Sequence, residues 1–496
     1  MLFYELEKLI KSLSATEKKI FQLHGTQLKG DKDYVILYEQ IIGQIDTVDG
    51  ASWQERFREA YPTKSLENTA AYLYKILTDL LVQIRIEQDT WYQQYQCLLK
   101  ARLCFERSIP SRAFKELHKA SKLATASQHH PVAYQAARME LTALSDLGFP
   151  GLSEQQLVDK QMKAKHTLQS LRQIHEHYSL YELLSHRLTK GKRPESSKQD
   201  KQVNDLILSE LSLSTRGSQH QFEPQKLHLL FQSFFFIHSG EYRSALRIFN
   251  ELTKLTEANE SMWDYPPYDY LSALDGILDS LRSIGYYQEM APFIDRLATL
   301  SERAYPEHFK SVATLTTWVY QLNMLLGCKK YEMAAQLIGN LSNGDTQKAV
   351  NGHEKQLEYY FFIALTYFML QQWSKAKKQL NLLIAAAKQT PQHLAYRAGR
   401  LLHILLSYEM DDLGYVEYEI RSYKRAFSKQ GKAYKTEKLI FNTIAADPKL
   451  RGNAWKATAH KKVAAKLKEI ITDKRELQLT KFADFGQWVL ASLSHK

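Results

Sequence analysis

The sequence predicts an all-α protein: an α-solenoid of stacked helix pairs behind a small N-terminal helical bundle. Three observations predict it. Helix breakers are scarce, with 20 Gly and 12 Pro in 496 residues, so long helices joined by short loops are expected. Apolar residues recur at helical spacing along most of the chain. A three-position pattern also returns at near-constant intervals, the mark of a repeat array. Hydrophobic residues make up 44% of the chain, enough for a continuous core.

Residues 1–90 read as the bundle. Leu2, Leu6, Leu9 and Ile10 form one apolar stripe. Ser14-Ala-Thr-Glu17 fits a capping box, in which the Ser hydroxyl and the Glu carboxylate satisfy free N–H groups at a helix start. A helix through Phe21 and Leu23 follows, with a break at Gly30-Asp31. Helices are predicted over Tyr34–Ile45, over Trp53–Tyr61 ending at Pro62, and from Ser65 to about Ile86. In the last, Leu66, Ala70, Leu73, Ile76, Leu77, Leu80, Leu81 and Ile84 share one face.

From about residue 92 helices come in pairs. The repeating pattern is an aromatic residue, a smaller apolar residue three later and a large apolar residue seven later. It occurs as Tyr242-Ala245-Phe249, Tyr287-Met290-Ile294, Tyr331-Ala334-Ile338 and Trp373-Ala376-Leu380, with a weaker copy from Tyr415. The aromatics are 45, 44, 42 and 42 residues apart, and Pro110-Ala113-Leu117 lies 132 residues before Tyr242. The aromatic is expected at the turn into the second helix of a pair. The residue three later must be small where two helices cross closely, and the one seven later fills the groove to the next pair.

The segment FFFIHSGEYRSALRIFNEL (Phe234–Leu252) resembles the G-x-Y-x-x-A-x-x-x-F core of tetratricopeptide repeats, with Gly240, Tyr242, Ala245 and Phe249 in place. YFMLQQWSKAKKQLNLLI (Tyr367–Ile384) is similar, with Gln371 at the usual glycine position. The resemblance covers about residues 225–430 well and 92–190 poorly. It implies a right-handed solenoid of tetratricopeptide-like (TPR-like) pairs. The layout as a whole also resembles an uncharacterised family of bacterial proteins of similar length, with an opening like LIKSLSATEKKIF and an aromatic tail like FADFGQWV. That resemblance implies no activity.

Two segments interrupt the array. Lys190–Gln202 has no large apolar residue and is expected to be a mobile loop. Ser212–Pro224 is read as a second loop, with one short helix, Val203–Leu211, between them. WDYPPYDYL (Trp263–Leu271) is a turn, because Pro266-Pro267 cannot continue a helix. The expected organisation is thus a bundle over 1–90, a first helical-repeat section over 91–211 ending in the mobile loop, TPR-like repeats over 222–430, and basic C-terminal helices over 431–496 that cap the array. Phe482, Phe485 and Trp488 are expected to seal the last repeat.

The familiar catalytic constellations are missing. There is no G-x-G-x-x-G, G-x-S-x-G or H-E-x-x-H, and no Cys/His set with zinc spacing. Gly25 and Gly30 have phosphate-loop spacing, but Asp31 takes the lysine position, where an acid repels phosphate. His175 and His177 are two apart on a helix and point away from each other. His129-His130 precedes Pro131 and reads as a loop. Cys97, Cys104 and Cys328 make no disulfide framework, and Cys97 and Cys104 read as small buried side chains. Carboxylates are many and read as solvated helix faces. We therefore expect no enzyme, no cofactor, no metal and no small-molecule substrate.

The longest apolar stretch, Phe361–Leu370, is about half of what a bilayer crossing needs. The start MLFYELEKLIKSL carries Glu5 and Glu7 and lacks a secretory pattern. No membrane insertion and a cytoplasmic location are expected. Net charge is +12, and Arg421–Lys496 alone holds 18 Lys+Arg against 6 Asp+Glu, so the whole excess sits there. In Ala454–Asp473, Ala459, Val463, Leu467, Ile470 and Ile471 form an apolar face with lysines mostly opposite. The candidate basic surface is Lys424, Arg425, Lys429, Lys432, Lys435, Lys461, Lys462, Lys466 and Lys468, with Trp455 and Tyr434 able to stack on bases. The expected function is a scaffold that binds a protein or peptide on a concave face. The alternative is a nucleic-acid-associated regulator that uses the basic helices.

Overall fold

A computed structural model of the chain describes residues 2–27, 33–45, 53–62, 64–190, 197–214, 221–341, 355–387, 393–428 and 433–494. The protein is all-helical, with no strand among the described residues. Two compact units are present. One comprises residues 1–175 with 304–308, the other 176–303 with 309–496. The Gly30-Asp31 break and the basic residues Lys429 and Lys432 lie outside the described residues.

The first unit opens with α1 (Leu2–Ser12), α2 (Ala15–Gln27), α3 (Asp33–Ile45), α4 (Trp53–Ala60) and α5 (Leu66–Gln88). Its core is Leu6, Ile10, Phe21, Leu37, Tyr38, Phe57, Leu73 and Leu77, each almost fully buried. Each such side chain contributes roughly 1.5–3 kcal/mol. The Ser14 box forms as predicted: the Glu17 carboxylate accepts from Ser14 N at 2.8 Å and Ser14 Oγ accepts from Glu17 N at 3.2 Å. Ser65 caps α5 by accepting from Asn68 N. Next come α6 (Thr90–Glu106), α7 (Pro110–Ala126) and α8 (His130–Asp146), each packed on the one before. Ala101, Ala113, Ala120, Ala124 and Ala136 are buried in these helices, where small side chains allow close crossings. His129 and His130 open α8 rather than lie in a loop, because Pro131 suits the first turn of a helix. His129 Nδ1 meets Gln94 Oε1 at 2.8 Å.

The helix α9 (Glu154–Lys190) is continuous, and the two units divide within it, between His175 and Glu176. The expected section 91–211 is therefore split. No Pro or Gly marks the division, so nothing in the local sequence signals it. Residues 197–202, expected to be loop, are helical in α10 (Ser197–Ser214), and Phe222–Pro224 opens α11 (Phe222–Ser239). Polar, charged residues form helix readily when a neighbouring apolar segment anchors one end.

The second unit continues with α12 (Tyr242–Ala258), α13 (Tyr268–Ile284), α14 (Ala291–Glu302), α15 (Glu307–Gly327), α16 (Tyr331–Leu341), α17 (Lys355–Met369), α18 (Trp373–Ala386), α19 (Leu394–Glu409), α20 (Leu413–Phe427), α21 (Lys435–Ala446) and α22 (Asn453–Thr472). Short 3-10 turns lie at 260–262, 287–290 and 448–450. Successive helices pack together through α11–α14 and through α16–α20, and α11 touches α13 as α17 touches α19. The positions of the three-residue pattern are buried or begin helices. Tyr242, Tyr331 and Trp373 each begin a helix, and Ala245, Met290, Ala334 and Ala376 have no exposure. At the α12–α13 crossing Phe249 lies against Gly276, where an added Cβ would stand 2.2 Å from the ring.

The helices are not buried alike. α12, α16 and α18 show an ordinary buried stripe. In α13 and α19 burial runs almost all round: residues 276–282 and 397–408 are buried without interruption. A helix so enclosed needs cover on every side. Part of that cover is α23 (Lys474–Thr480), which packs on α13, α19 and α21, and α24 (Phe485–Leu493) follows it. The C-terminal aromatics pack into the interior of the second unit. Phe482 lies between Phe361 and Phe362 of α17, with centroids 5.7 and 6.4 Å away. Trp488 donates Nε1–H to Glu409 at 2.9 Å.

Candidate functional site

Two features concentrate charge in the second unit. The first is the predicted basic surface. Lys461, Lys462, Lys466 and Lys468 are all exposed on α22, whose Val463 and Ile470 are buried against α24 and neighbouring elements. Ile471, expected on the apolar face, is 67% exposed instead, because that face is narrower than the sequence spacing suggested. Lys424 and Arg425 are exposed near the end of α20, and Lys424 Nζ lies 5.5 Å from the Phe441 ring centre. Lys435, at the start of α21, pairs with Asp473 at 2.8 Å, which raises its pKa through the hydrogen bond and the charge. Trp455 keeps 38% exposure and carries Arg451 at 5.7 Å. Tyr434 is fully buried, so it cannot stack on a base: its ring packs against Arg397 and Arg475.

The second feature is a buried ionic network that sequence reasoning missed. Asp275, Asp279 and Arg282 lie on one face of α13 at intervals of four and three. Arg282 donates Nε–H to Asp279 Oδ1 and Nη1–H to Glu358 Oε2, both at 2.7 Å. Lys355, three residues before Glu358 on α17, meets Asp275 Oδ1 at 2.6 Å. Tyr320 of α15 donates its hydroxyl to the same Asp275 oxygen at 2.8 Å. Lys481 closes the set from the end of α23 and donates to both Asp279 oxygens at 2.9 Å. Three carboxylates face three cations, so the charges cancel. Phe482 and Tyr320 flank the Arg282 guanidinium, with ring centres 5.2 and 5.4 Å from its carbon.

Burial opposes the charges of Asp279, Glu358, Arg282, Lys355 and Lys481, and the partners outweigh it at all but Lys481. Burial alone would raise the Asp279 carboxyl, but Lys481, Arg282 and Lys355 hold it down at about 2. Glu358 is likewise held well below the carboxylate range against burial by Arg282 and Lys355. Burial pulls Lys481 down, and Asp279 offsets only part of that. Each charged group is engaged by another, so the network clamps α13, α15, α17 and the C-terminal segment together and presents no free acid, base or nucleophile.

Similar clamps recur nearby. Arg397 grips Glu437 with two bonds at 2.5 and 3.0 Å, and Tyr423 donates to the same carboxylate at 2.6 Å. Glu476 of α23 accepts from Lys435 N, Thr436 N and Thr436 Oγ1, capping α21 from a distant part of the chain. Lys226 sits among Glu223 at 3.0 Å, Asp269 at 2.7 Å and Asp264 at 3.8 Å, filling the hollow lined by Phe222, Trp263 and Tyr270. Burial pulls its pKa down, but Glu223 and Asp269 outweigh that and raise it. The reading of carboxylates as solvated faces is thus corrected for Glu210, Asp279, Glu358, Glu419, Glu437 and Glu476, all buried. Sequence periodicity assigns charges to the solvent side, and these stand inside because partners from other elements meet them: cations for Asp279, Glu358, Glu419 and Glu437, histidine for Glu210, and backbone N–H and Thr436 for Glu476.

In the first unit an open groove of about 470 Å³ is lined by Gln83, Ile86, Glu87, Gln93, Gln96, Cys97 and Lys119. Burial and the neighbouring Glu116 push the Cys97 thiol up, which suits an inert side chain. Among the described residues no three His, Cys, Asp or Glu side chains converge as metal ligands would, and no helix is long and apolar enough to cross a membrane. No protein-family model and no curated protein matches the chain.

Proposed function

We propose that the chain is a right-handed α-solenoid of TPR-like helix pairs, a non-catalytic scaffold that binds a protein or peptide through its concave surface. The basic C-terminal surface aids association. One observation carries this reading: the first helices of the pairs already hold a chain segment along one side. Lys474 pairs with Glu241, Gln478 donates to the His238 carbonyl at 3.1 Å, Lys481 enters the network of α13, and Phe482 inserts at α17. Charged side chains, a helix-end carbonyl and an aromatic slot on neighbouring helices are means by which repeat arrays grip peptides. The area under α23 is taken by the chain itself, so a partner reads the helix faces beyond it.

The test is capture on the full chain from its own lysate, followed by hydrogen exchange on the complex. A stoichiometric protein that slows exchange in α11–α20 supports the reading. Recovery of no stoichiometric partner under several salt and nucleotide conditions refutes it.

A further inference from the structure

Several surface lysines of this protein pair locally with an acid: Lys64 with Asp33, Lys160 with Glu140, Lys449 with Asp411 and Lys474 with Glu241. The four lysines of α22 do not. Lys461, Lys462, Lys466 and Lys468 are exposed and have no ion-pair partner among the described residues. At 100° per residue, Lys461 and Lys468 form one rail along the helix, and Lys462 and Lys466 form another. Between the rails lie Ala454, Thr458 and Ala465, all small and exposed, and a single acid, Glu469. Lys462 and Lys466 stand roughly 6 Å apart along the axis, and Lys461 and Lys468 roughly 10 Å. Trp455 lies on the second rail, about 60–80° round the helix from the buried Val463 and Ile470, and is exposed.

We propose that this exposed arc of α22 is a docking surface for single-stranded nucleic acid, with the backbone laid over the small residues between the lysine rails and a base stacked at Trp455. Charge and shape favour this occupant. Lysine is a compact point charge suited to phosphate, and a flat centre of Ala and Thr lets a strand approach. A half-exposed indole offers a sequence-tolerant stacking platform. A protein interface would centre on apolar anchors, and the arc has none besides Trp455. A membrane surface would need the apolar groups on one side, but Ile471 and Trp455 lie on opposite sides of α22.

The experiment is fluorescence polarisation of a labelled 12-nucleotide single strand with the full chain at low and rising salt. Wild type is expected to bind, with affinity falling steeply with salt. Replacing Lys461, Lys462, Lys466 and Lys468 by Gln should weaken binding more than tenfold and flatten the log–log salt slope by about 3, from roughly 0.7 per phosphate released. Trp455→Leu should weaken binding roughly 5- to 100-fold, the value of one stacked base. Glu469→Lys should tighten binding and steepen the slope, an outcome that a misfolded variant cannot mimic. The proposal is overturned by absence of binding at low salt, by equal affinity of the fourfold variant, or by polyglutamate of similar length displacing the strand as well as unlabelled strand does. The last result would assign the surface to an acidic protein. Loss of binding here leaves the scaffold reading intact, because that reading is scored by the hydrogen-exchange footprint on α11–α20.

Discussion

Lys481→Met is the sharpest probe of how the second unit holds together. Methionine keeps most of the volume and the apolar stem, so the change removes one charge from a network that is neutral with it. Asp275, Asp279 and Glu358 would then face only Arg282 and Lys355. Breaking a buried pair by removing one partner costs about 3–5 kcal/mol. Burial already lowers the Lys481 pKa, so its own charge is held at some cost, and we expect the low end, about 3 kcal/mol. For a unit of roughly 300 residues, with an unfolding entropy of about 2 cal/mol/K per residue, that is a fall in Tm of about 5 °C. Calorimetry and urea unfolding measure it. Asp279→Asn in the same chain restores neutrality, so the double variant should cost clearly less than the two single costs added together, with a coupling of about 1–3 kcal/mol. A Lys481→Met cost under about 0.5 kcal/mol, or strict additivity, would refute the claim that Lys481 is a structural counter-ion.

Other outcomes follow from the same coordinates. Phe482→Ala empties the slot between Phe361 and Phe362 and should cost about 3–5 kcal/mol by denaturant unfolding. Gln371 stands at a left-handed turn with φ of 58°, where the related turn before α12 has Gly240. Gln371→Gly relieves about 1–2 kcal/mol of strain and loses part of that to chain entropy, so a net gain of about 0.5–1 kcal/mol in Tm-derived stability is expected. Gly240→Ala should do the reverse, because φ is 75° and a Cβ would stand 2.9 Å from the Lys474 carbonyl oxygen. Asp279 has a folded pKa depressed to about 2, so its contribution is complete above the unfolded value near 4 and is lost as pH falls from there toward 2. That is about 2 kcal/mol, seen as a steeper acid limb in urea midpoints for wild type than for Asp279→Asn.

The secondary structure was legible because its causes are local. Ser14 and Glu17, Ser65, the apolar face of α5 and the buried residues Ala245, Met290, Ala334 and Ala376 act within a few positions, and all are placed as spacing suggested. Long-range pairing was not legible. Asp279 and Lys481 are 202 residues apart and Arg397 and Glu437 are 40 apart, and each alone reads as a surface charge. One signal was available: α19 mixes Arg397, Arg400 and His403 among Leu and Ile with no clean polar face, as a helix covered on all sides would. On the basic surface, the α22 lysines stand exposed as read. Tyr434 does not, since an aromatic after a basic run is equally suited to pack between guanidinium groups, as it does with Arg397 and Arg475.

Charge counted along a chain differs from the field a partner meets. The C-terminal excess of twelve is an accounting by sequence position, but Lys449, Lys474 and Lys481 pair with Asp411, Glu241 and Asp279, acids that belong to the balanced part. Those pairings move positive charge out of the C-terminal surface and remove acids from the helices it lies on. Lys435 is likewise turned to Asp473. After that neutralisation, the unpaired cations of the described C-terminal helices concentrate on α22, with Lys424 and Arg425 on α20. The same short region therefore divides its work by direction. Residues from Lys474 onward turn charges and rings toward the helices of the second unit, while the α22 lysines, with no ion-pair partner among the described residues, face outward as the surface on which an anion can act.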